Sequence, residues 1–412
     1  MLKYDECLYI AYSNYDERTS QIITPNGFKV GDDCNLFDDS IPNAYYDTFC
    51  SYGRTDLNVK CVSINSIPKN AKYIYPISLS AGPKFSNVFD TDVMMLSDNI
   101  VDDIKSKRCT LLFDFSMEGF SSIEHRLTNS FIIGLCKKHN IPINSVHLMD
   151  GNLLKNRNVK YNHFGIVVWN RGNYPISDES FYNIVTNIAE KNERSFKICC
   201  LNRRGKDFRS YVCYSLYDIY KNSDAVVTMS EEAKKSYLQY DKFKYKKNVD
   251  SSIYKDFVNS IPWTYDIEDT LNVNPTYINE RLHTNTYIQV VTETWFVGDT
   301  IFFSEKTFKP IIMMQPFILV STPGSLARLR SLGYETFPEI FDESYDGIED
   351  PVDRLDFIVK EIKKVYSYSK KELSNKLYEV LPKLVHNATV HKNSLDDPYS
   401  LYDILKKEIY DV

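Results

Sequence analysis

The densest run of chemistry-bearing residues is CCLNRRGKDFR (199–209), where an apolar stretch ends in Asn202 and gives way to Arg203, Arg204 and Lys206, with Arg209 inside the helical pattern that follows. Cations are unfavourable at a helix start because the macrodipole already places positive charge there, so their concentration implies an anion between them. A strand-to-helix turn with cations and free backbone N–H groups suits a phosphate-bearing ligand; the alternative is a basic helix start that is merely solvated. A second set lies in TETWFVGDTIFFSEKTFKP (292–310). Glu293 follows a strand pattern, and Glu305 and Lys306 open a helix behind Ser304 as N-cap. A carboxylate in that position can accept hydrogen bonds from both hydroxyls of a ribose, while the adjacent lysine reaches a diphosphate. On composition alone, an ordinary capped helix with an acidic first turn explains this segment as well. Pro310 should bend or reposition that helix. A third turn, STPGSLARLRSLGY (321–334), is expected to present the backbone N–H groups after Pro323, Gly324 and Ser325 to the same edge.

Residues of this kind must be held at the ends of strands. Short β-branched or aromatic runs alternate with helical patterns, the signature of an α/β protein with mainly parallel sheets. In the first half the strands are expected at 7–13, 72–78, 110–116, 145–150 and 164–170, with SIEHRLTNSFIIGLCKKHN (122–140) as the clearest helix. A second series starts with the strand FKICCL (196–201). It runs through a helix after Asp207, a strand at 225–229, a helix opened by Ser230, Glu231 and Glu232, a strand at 286–292, a helix near 304–314, a strand at 316–321 and a helix from Gly324 to about Leu332. Region 241–285 is poor in regular signals. From Asp350 onward VDRLDFIVKEIKKVY and SKKELSNKLYEVLPKLVHN carry helical spacing alone. The expected division is therefore 1–192, 193–348 and a helical segment 349–412 that packs across the other two.

A chain of 412 residues favours more than one core, and its 43% apolar and 25% charged content excludes a disordered class. The net charge of −6 argues against a surface that is a nucleic-acid footprint throughout. No apolar window approaches the length of a membrane span, and MLKYDECLYIAYSNYDE has acids where a signal peptide needs a basic then apolar run, so a cytoplasmic protein is expected. The nine cysteines show no C-x-x-C pair and no clustering with histidine, which fits reduced, buried thiols rather than a zinc site. His147 and His163 read as core or surface residues rather than ligands. Abundant Tyr, Lys, Asn and Ile suit an AT-rich genome, viral or bacterial.

The strand ending in Asn-Arg-Arg, then Glu293, then Ser304, Glu305 and Lys306 with Phe308, then PFILVSTPGSLARLRSLGYETF, resembles a family of phage and large-virus glycosyltransferases. More remotely, DTIFFSEKTF is similar to the Asp-Tyr-Ile-Thr-Glu-Lys segment of α-1,3-fucosyltransferases. The resemblance covers 196–345. It implies a GT-B architecture, with two Rossmann-like domains facing a cleft, a nucleotide-sugar donor on the C-terminal one and the acceptor on the other. Glu305 would then hold the ribose, Lys306 with an arginine among Arg203, Arg204 and Arg209 would neutralise the diphosphate, and Glu293 would contact the sugar. No metal and no cofactor is implied. The sequence departs from the fucosyltransferase pattern where Thr294 and Trp295 replace Asn-Ser after the glutamate, and in the longer gap to Glu305.

An inverting transfer needs a general base on the acceptor side. LFDFSMEGFSSIEH (112–125) offers Glu118 first, Asp114 second and His125 in the following helix, and HLMDGN (147–152) offers Asp150. The acceptor is expected to be a glycan or a hydroxymethylated base in viral DNA. A non-catalytic nucleotide or sugar sensor on the same fold is the alternative. A dinucleotide-dependent oxidoreductase is disfavoured, because no G-x-G-x-x-G follows any expected strand.

Overall fold

The computed structural model describes residues 8–12, 15–16, 21–22, 59–78, 96–115, 119–154, 162–165, 177–203, 205–220, 222–231, 249–265, 277–395 and 406. The chain forms two compact units, Met1–Val168 with Asp396–Val412, and Trp169–Leu395. Each carries its own parallel sheet.

The first unit contains β1 (Leu8–Tyr12), the small antiparallel pair β2 (Tyr15–Asp16) and β3 (Gln21–Ile22), β4 (Val59–Ser63), β5 (Tyr73–Ser78), α1 (Asp98–Lys105), β6 (Cys109–Phe115), α2 (Ser122–His139), β7 (Val146–Asp150) and β8 (Asn162–Gly165). Its six-stranded sheet runs β4-β1-β5-β6-β7-β8, every neighbour parallel. Leu111, Leu112 and Phe113 of β6 are all fully buried, as a central parallel strand covered on both faces requires. Phe131, Ile132, Leu135 and Cys136 of α2 close over one face together with Ile100, Val101 and Ile104 of α1. Phe131 meets the Phe113 ring edge-on at 5.8 Å. Each of these side chains contributes about 1.5–3 kcal/mol by leaving water.

The second unit contains α3 (Asp178–Ala189), β9 (Phe196–Cys200), α4 (Asp207–Ser215), α5 (Tyr217–Tyr220), β10 (Ala225–Val227), α6 (Ser251–Ser260), α7 (Glu280–Thr284), β11 (Thr286–Thr292), α8 (Glu305–Ile312), β12 (Phe317–Val320), α9 (Ser325–Ser331), α10 (Pro351–Ser367), α11 (Lys370–Glu379) and α12 (Leu381–Leu395). The sheet order is β10-β9-β11-β12, again all parallel. Counting the strands of each sheet in chain order, the first winds as 2-1-3-4-5-6 and the second as 2-1-3-4, so each reverses direction between its first and third strand. That reversal leaves a crevice at the carboxyl ends, the place where open α/β sheets bind ligands. The α/β class read from the sequence is what the structure shows.

Three features differ from the expectation. The division falls at 168 and 169 rather than near 192, because α3 packs on α11 and α12 of the second unit. Lys191 Nζ donates to Asn375 Oδ1 at 2.9 Å, and Lys392 lies 3.3 Å from Asp178 at the start of α3. Of the segment expected at 349–412, α10 packs against α4 and β12, α11 against β11 and α12 against α8 in the second unit, while Asp396–Val412 is grouped with the first. The helix expected across 369–387 is two helices, parted at Val380 where Pro382 removes a donor from the ladder. In region 241–285 the structure places α6 and α7; Asp250 caps α6 through the backbone N–H groups of Ser252 and Ile253, and its Tyr254 and Phe257 join an aromatic cluster with Tyr217 and Trp263. The helix expected after Ser230 lies outside the described residues beyond Glu231, and so does the 166–170 part of the strand expected at 164–170.

Cys109, Cys136, Cys199, Cys200 and Cys213 are free and buried. Burial pushes the Cys109 thiol up to about 12 and that of Cys136 to about 11, so neither is a thiolate at neutral pH. Among the described residues no helix is long and apolar enough to cross a membrane.

Candidate functional site

The reversal point of the second sheet lies between β9 and β11, and the segments that leave these two strands carry most of the residues singled out from the sequence. Asn202 ties the edge together. Its backbone N–H donates to Thr228 Oγ1 at 3.0 Å, beyond β10, and its side-chain oxygen accepts from Thr292 Oγ1 at 2.6 Å, at the end of β11. One buried amide thus joins the carboxyl ends of three strands.

Glu293 is fully buried, and four donors of its own chain converge on it. Ser304 N at 3.0 Å and Thr307 Oγ1 at 2.5 Å donate to Oε1; Ser304 Oγ at 2.7 Å and Thr294 N at 3.0 Å donate to Oε2. A carboxylate so engaged does not reach out to a sugar. It positions the start of α8, and the contact with substrate expected of Glu293 gives way to that role. Arg209 is likewise turned inward, 5% exposed, donating to the carbonyls of Thr292 at 3.1 Å and Glu293 at 2.7 Å. Burial lowers its pKa, partly offset by the carboxylates of Glu293 and Glu305. It pins α4 to the end of β11.

Ser304 is the N-cap of α8 as expected, its hydroxyl accepting from Lys306 N at 3.3 Å. Behind it the two ligand candidates pair, with Lys306 Nζ 2.8 Å from Glu305 Oε1 and 3.1 Å from Ser304 Oγ. Their side chains are 32% and 13% exposed for Lys306 and Glu305, open to the edge where Glu293 and Ser304 are not. Burial pushes the Glu305 carboxyl up, but Lys306 and then Lys309 outweigh it and hold the pKa below the ordinary value. Glu305 is therefore an acceptor-only carboxylate at neutral pH, suited to a pair of hydroxyls.

From the other side of the reversal point comes Lys206, whose ammonium donates to Thr294 O at 2.7 Å and lies 5.8 Å from the centre of the Trp295 ring. Thr294 and Trp295 are the two residues by which the sequence departs from the fucosyltransferase pattern, and they hold this lysine. Arg203 is exposed at the same turn, its carbonyl accepting from Ser230 Oγ. Arg204 lies outside the described residues.

The helix starts at this edge are not equivalent. The N-cap position of α4 is taken by Lys206, which has no acceptor to offer, whereas α8 is capped by Ser304. At α9 the N–H groups of Leu326 and Ala327 donate to the two carboxylate oxygens of Asp346, both at 2.9 Å. The third turn, whose N–H groups were expected at the same edge, is thus filled by a side chain twenty residues away.

Of the acceptor-side candidates, Asp114 is in β6, opposite Ser78 of β5 and Met149 of β7, while Glu118 lies outside the described residues. His125 and Asp150 come together with His163, a grouping that spacing along the chain did not reveal.

No protein-family model and no curated protein matches this chain. Among solved structures it is similar to a glycosyltransferase from Rickettsia africae, at 10% identity over 98% of this chain and 100% of that one, with a TM-score of 0.38. It is also similar to α,α-trehalose 6-phosphate synthase from Burkholderia multivorans, at 8% identity over 82% and 72% of the two chains, TM-score 0.35. A third is the UDP-forming α,α-trehalose-phosphate synthase from Burkholderia xenovorans, solved with glucose-6-phosphate, at 8% identity over 96% and 100%, TM-score 0.32.

Proposed function

We propose that the protein is a GT-B-type glycosyltransferase and that the carboxyl edge of its second sheet holds a nucleotide-sugar donor. The observation that carries this reading is the Glu305 and Lys306 pair, held open at the reversal point by the buried Glu293 anchor while Lys206 approaches from the opposite segment. Glu305 accepts the ribose hydroxyls. The diphosphate sits at the start of α4, between Arg203 and Lys206 on one side and Lys306 on the other. Breaking a sugar–phosphate bond builds negative charge on the diphosphate, so fixed cations there stabilise the transition state more than the ground state. No metal is needed for that step. The transfer inverts, with Glu118 or Asp114 as base, and the acceptor is a glycan or a hydroxymethylated base in viral DNA inside the host cytoplasm.

Calorimetric titration with UDP, GDP and their sugar conjugates tests the donor site on the wild type, Glu305→Ala and Lys306→Ala. Each variant should bind the preferred nucleotide roughly 10- to 100-fold more weakly, as for a lost charged hydrogen bond, with an unchanged circular dichroism spectrum. Undiminished binding in both would remove the assignment. Donor hydrolysis or transfer with the bound nucleotide separates an enzyme from a sensor, since a sensor binds without turnover. Comparing glycan and hydroxymethylated duplex DNA at two salt concentrations separates the acceptors, because phosphate-dependent binding weakens steeply with salt.

A further inference from the structure

In the first unit three side chains from separate elements converge: His125 in the first turn of α2, Asp150 at the end of β7 and His163 in β8. The register pairs Leu148 with His163 and Asp150 with Gly165. Side chains alternate along a strand, so Asp150 and His163 emerge on the face that carries Leu148, which α2 covers. All three are sealed from water, the side chains of Asp150, His125 and His163 being 0%, 2% and 2% exposed.

Asp150 Oδ1 accepts from Asn152 N at 2.9 Å and lies 3.2 Å from His163 Nε2. Asp150 Oδ2 stands 3.2 Å from His125 Nε2, yet neither of these two atoms makes a hydrogen bond. An imidazole N–H aimed at a carboxylate would bond at that distance. Here the two atoms share a neighbourhood without pointing at one another. Buried polar groups left without partners cost about 1–3 kcal/mol each, and a fold of marginal stability rarely carries two side by side without return.

We propose that His125, Asp150 and His163 bind one divalent transition-metal ion of the zinc class, through both imidazole Nε2 atoms and the carboxylate. One donor atom from each residue can be chosen so that all lie within 4.8 Å of one another. The two 3.2 Å separations, His125 Nε2 to Oδ2 and His163 Nε2 to Oδ1, each to its own carboxylate oxygen, are close to the separation of about 3.3 Å between neighbouring ligand atoms on a tetrahedral ion with bonds of roughly 2.0 Å. Two imidazoles exclude calcium and magnesium, which take oxygen shells, and suit zinc, copper, nickel or iron. The frame is rigid. Asn152 Nδ2 donates to Phe120 O at 2.7 Å, tying the turn after β7 to the segment that leads into α2. Gly165 faces the same turn so closely that a Cβ there would meet the Asn152 carbonyl oxygen at 2.0 Å. Three protein ligands leave a fourth position for another donor, and an ion held by them would clamp α2 onto β7 and β8.

The full chain, stripped with a chelator and titrated with Co²⁺ and then Zn²⁺, tests this. One Co²⁺ per chain with visible d–d absorption, displaced by Zn²⁺, is expected, together with a higher melting temperature for the zinc-loaded protein. His163→Gln should weaken uptake at least about 100-fold, more than is typical for loss of an outer-shell partner. X-ray absorption on the zinc-loaded wild type reads the shell without any variant and should show two imidazoles with oxygen. No uptake, uptake undiminished in a folded His163→Gln, or a sulfur shell drawn from the free cysteines would each overturn the proposal.

Discussion

Ser304 gives both its backbone N–H and its hydroxyl to the Glu293 carboxylate, one to each oxygen, so a residue eleven positions upstream fixes where α8 begins. Removing the anchor should disturb the fold before it disturbs chemistry. Glu293→Ala leaves Ser304 N and Thr307 Oγ1 buried without their acceptor and should cost about 3 kcal/mol, seen as a lower urea midpoint. Glu293→Gln should recover part of that loss, since the amide keeps one acceptor oxygen. A stability equal to wild type in the alanine variant would show that another group takes over the four donors.

Lys206 is predicted to act on ligand more than on stability. Lys206→Ala gives up the bond to Thr294 O and the contact with Trp295. Binding of the preferred nucleotide should fall about tenfold while unfolding free energy changes by less than about 1 kcal/mol. A large loss of stability with unchanged binding would make Lys206 a structural strut.

Little of that division of labour is legible in the sequence. The strand TYIQVVT is legible at its true bounds, because a continuous β-branched run between polar segments has few other solutions. Glu293, by contrast, has the same appearance whether it faces a sugar or the hydroxyls of Ser304 and Thr307, eleven and fourteen residues on. Asp346 gives no sign that it closes the start of α9 twenty residues earlier. Helix α6 is not legible in the sequence because its buried face is aromatic, built from Tyr254 and Phe257 against Tyr217 and Trp263, rather than a stripe of aliphatic residues. The same holds for His163, read as a core or surface residue, whose neighbours Asp150 and His125 reach it from another strand and from a helix.

Asp346→Asn replaces one of the two acceptor oxygens at α9 by a donor and removes the charge. It should destabilise by about 1–2 kcal/mol, the range for loss of a helix cap at a dipole end. Chemical denaturation checks the value, and no change would place another acceptor at Ala327 N.

Gly165→Ala forces a methyl group against the backbone of Asn152, which neither partner can yield without moving β8 or the turn after β7. A loss of at least about 2 kcal/mol is expected by thermal or urea unfolding. A variant as stable as wild type would mean that the turn has room to shift.

His147, His283 and His391 are each pushed down to about 4 by burial. Their folded values lie below the unfolded one, so between roughly pH 6.5 and 4 the unfolded chain binds protons that the folded chain refuses. Stability should therefore be full above pH 6.5 and fall as pH drops through that window, by up to about 3 kcal/mol per histidine. Unfolding midpoints at pH 7 and pH 4.5 measure the slope. His391→Gln, which removes one titrating ring from beside Phe308, should flatten it, and an identical slope would exclude His391 from the effect.

The seating of α3 against α11 and α12 brings the first and last described helices of the second unit side by side, stitched by Lys191 to Asn375 and by Lys392 to Asp178. A polypeptide whose beginning and end are neighbours is topologically close to a ring, and the position of its break becomes a matter of choice. A short linker joining 395 to 177, with new ends opened in an exposed loop, should give a circularly permuted unit that keeps the Glu305 and Lys306 edge intact.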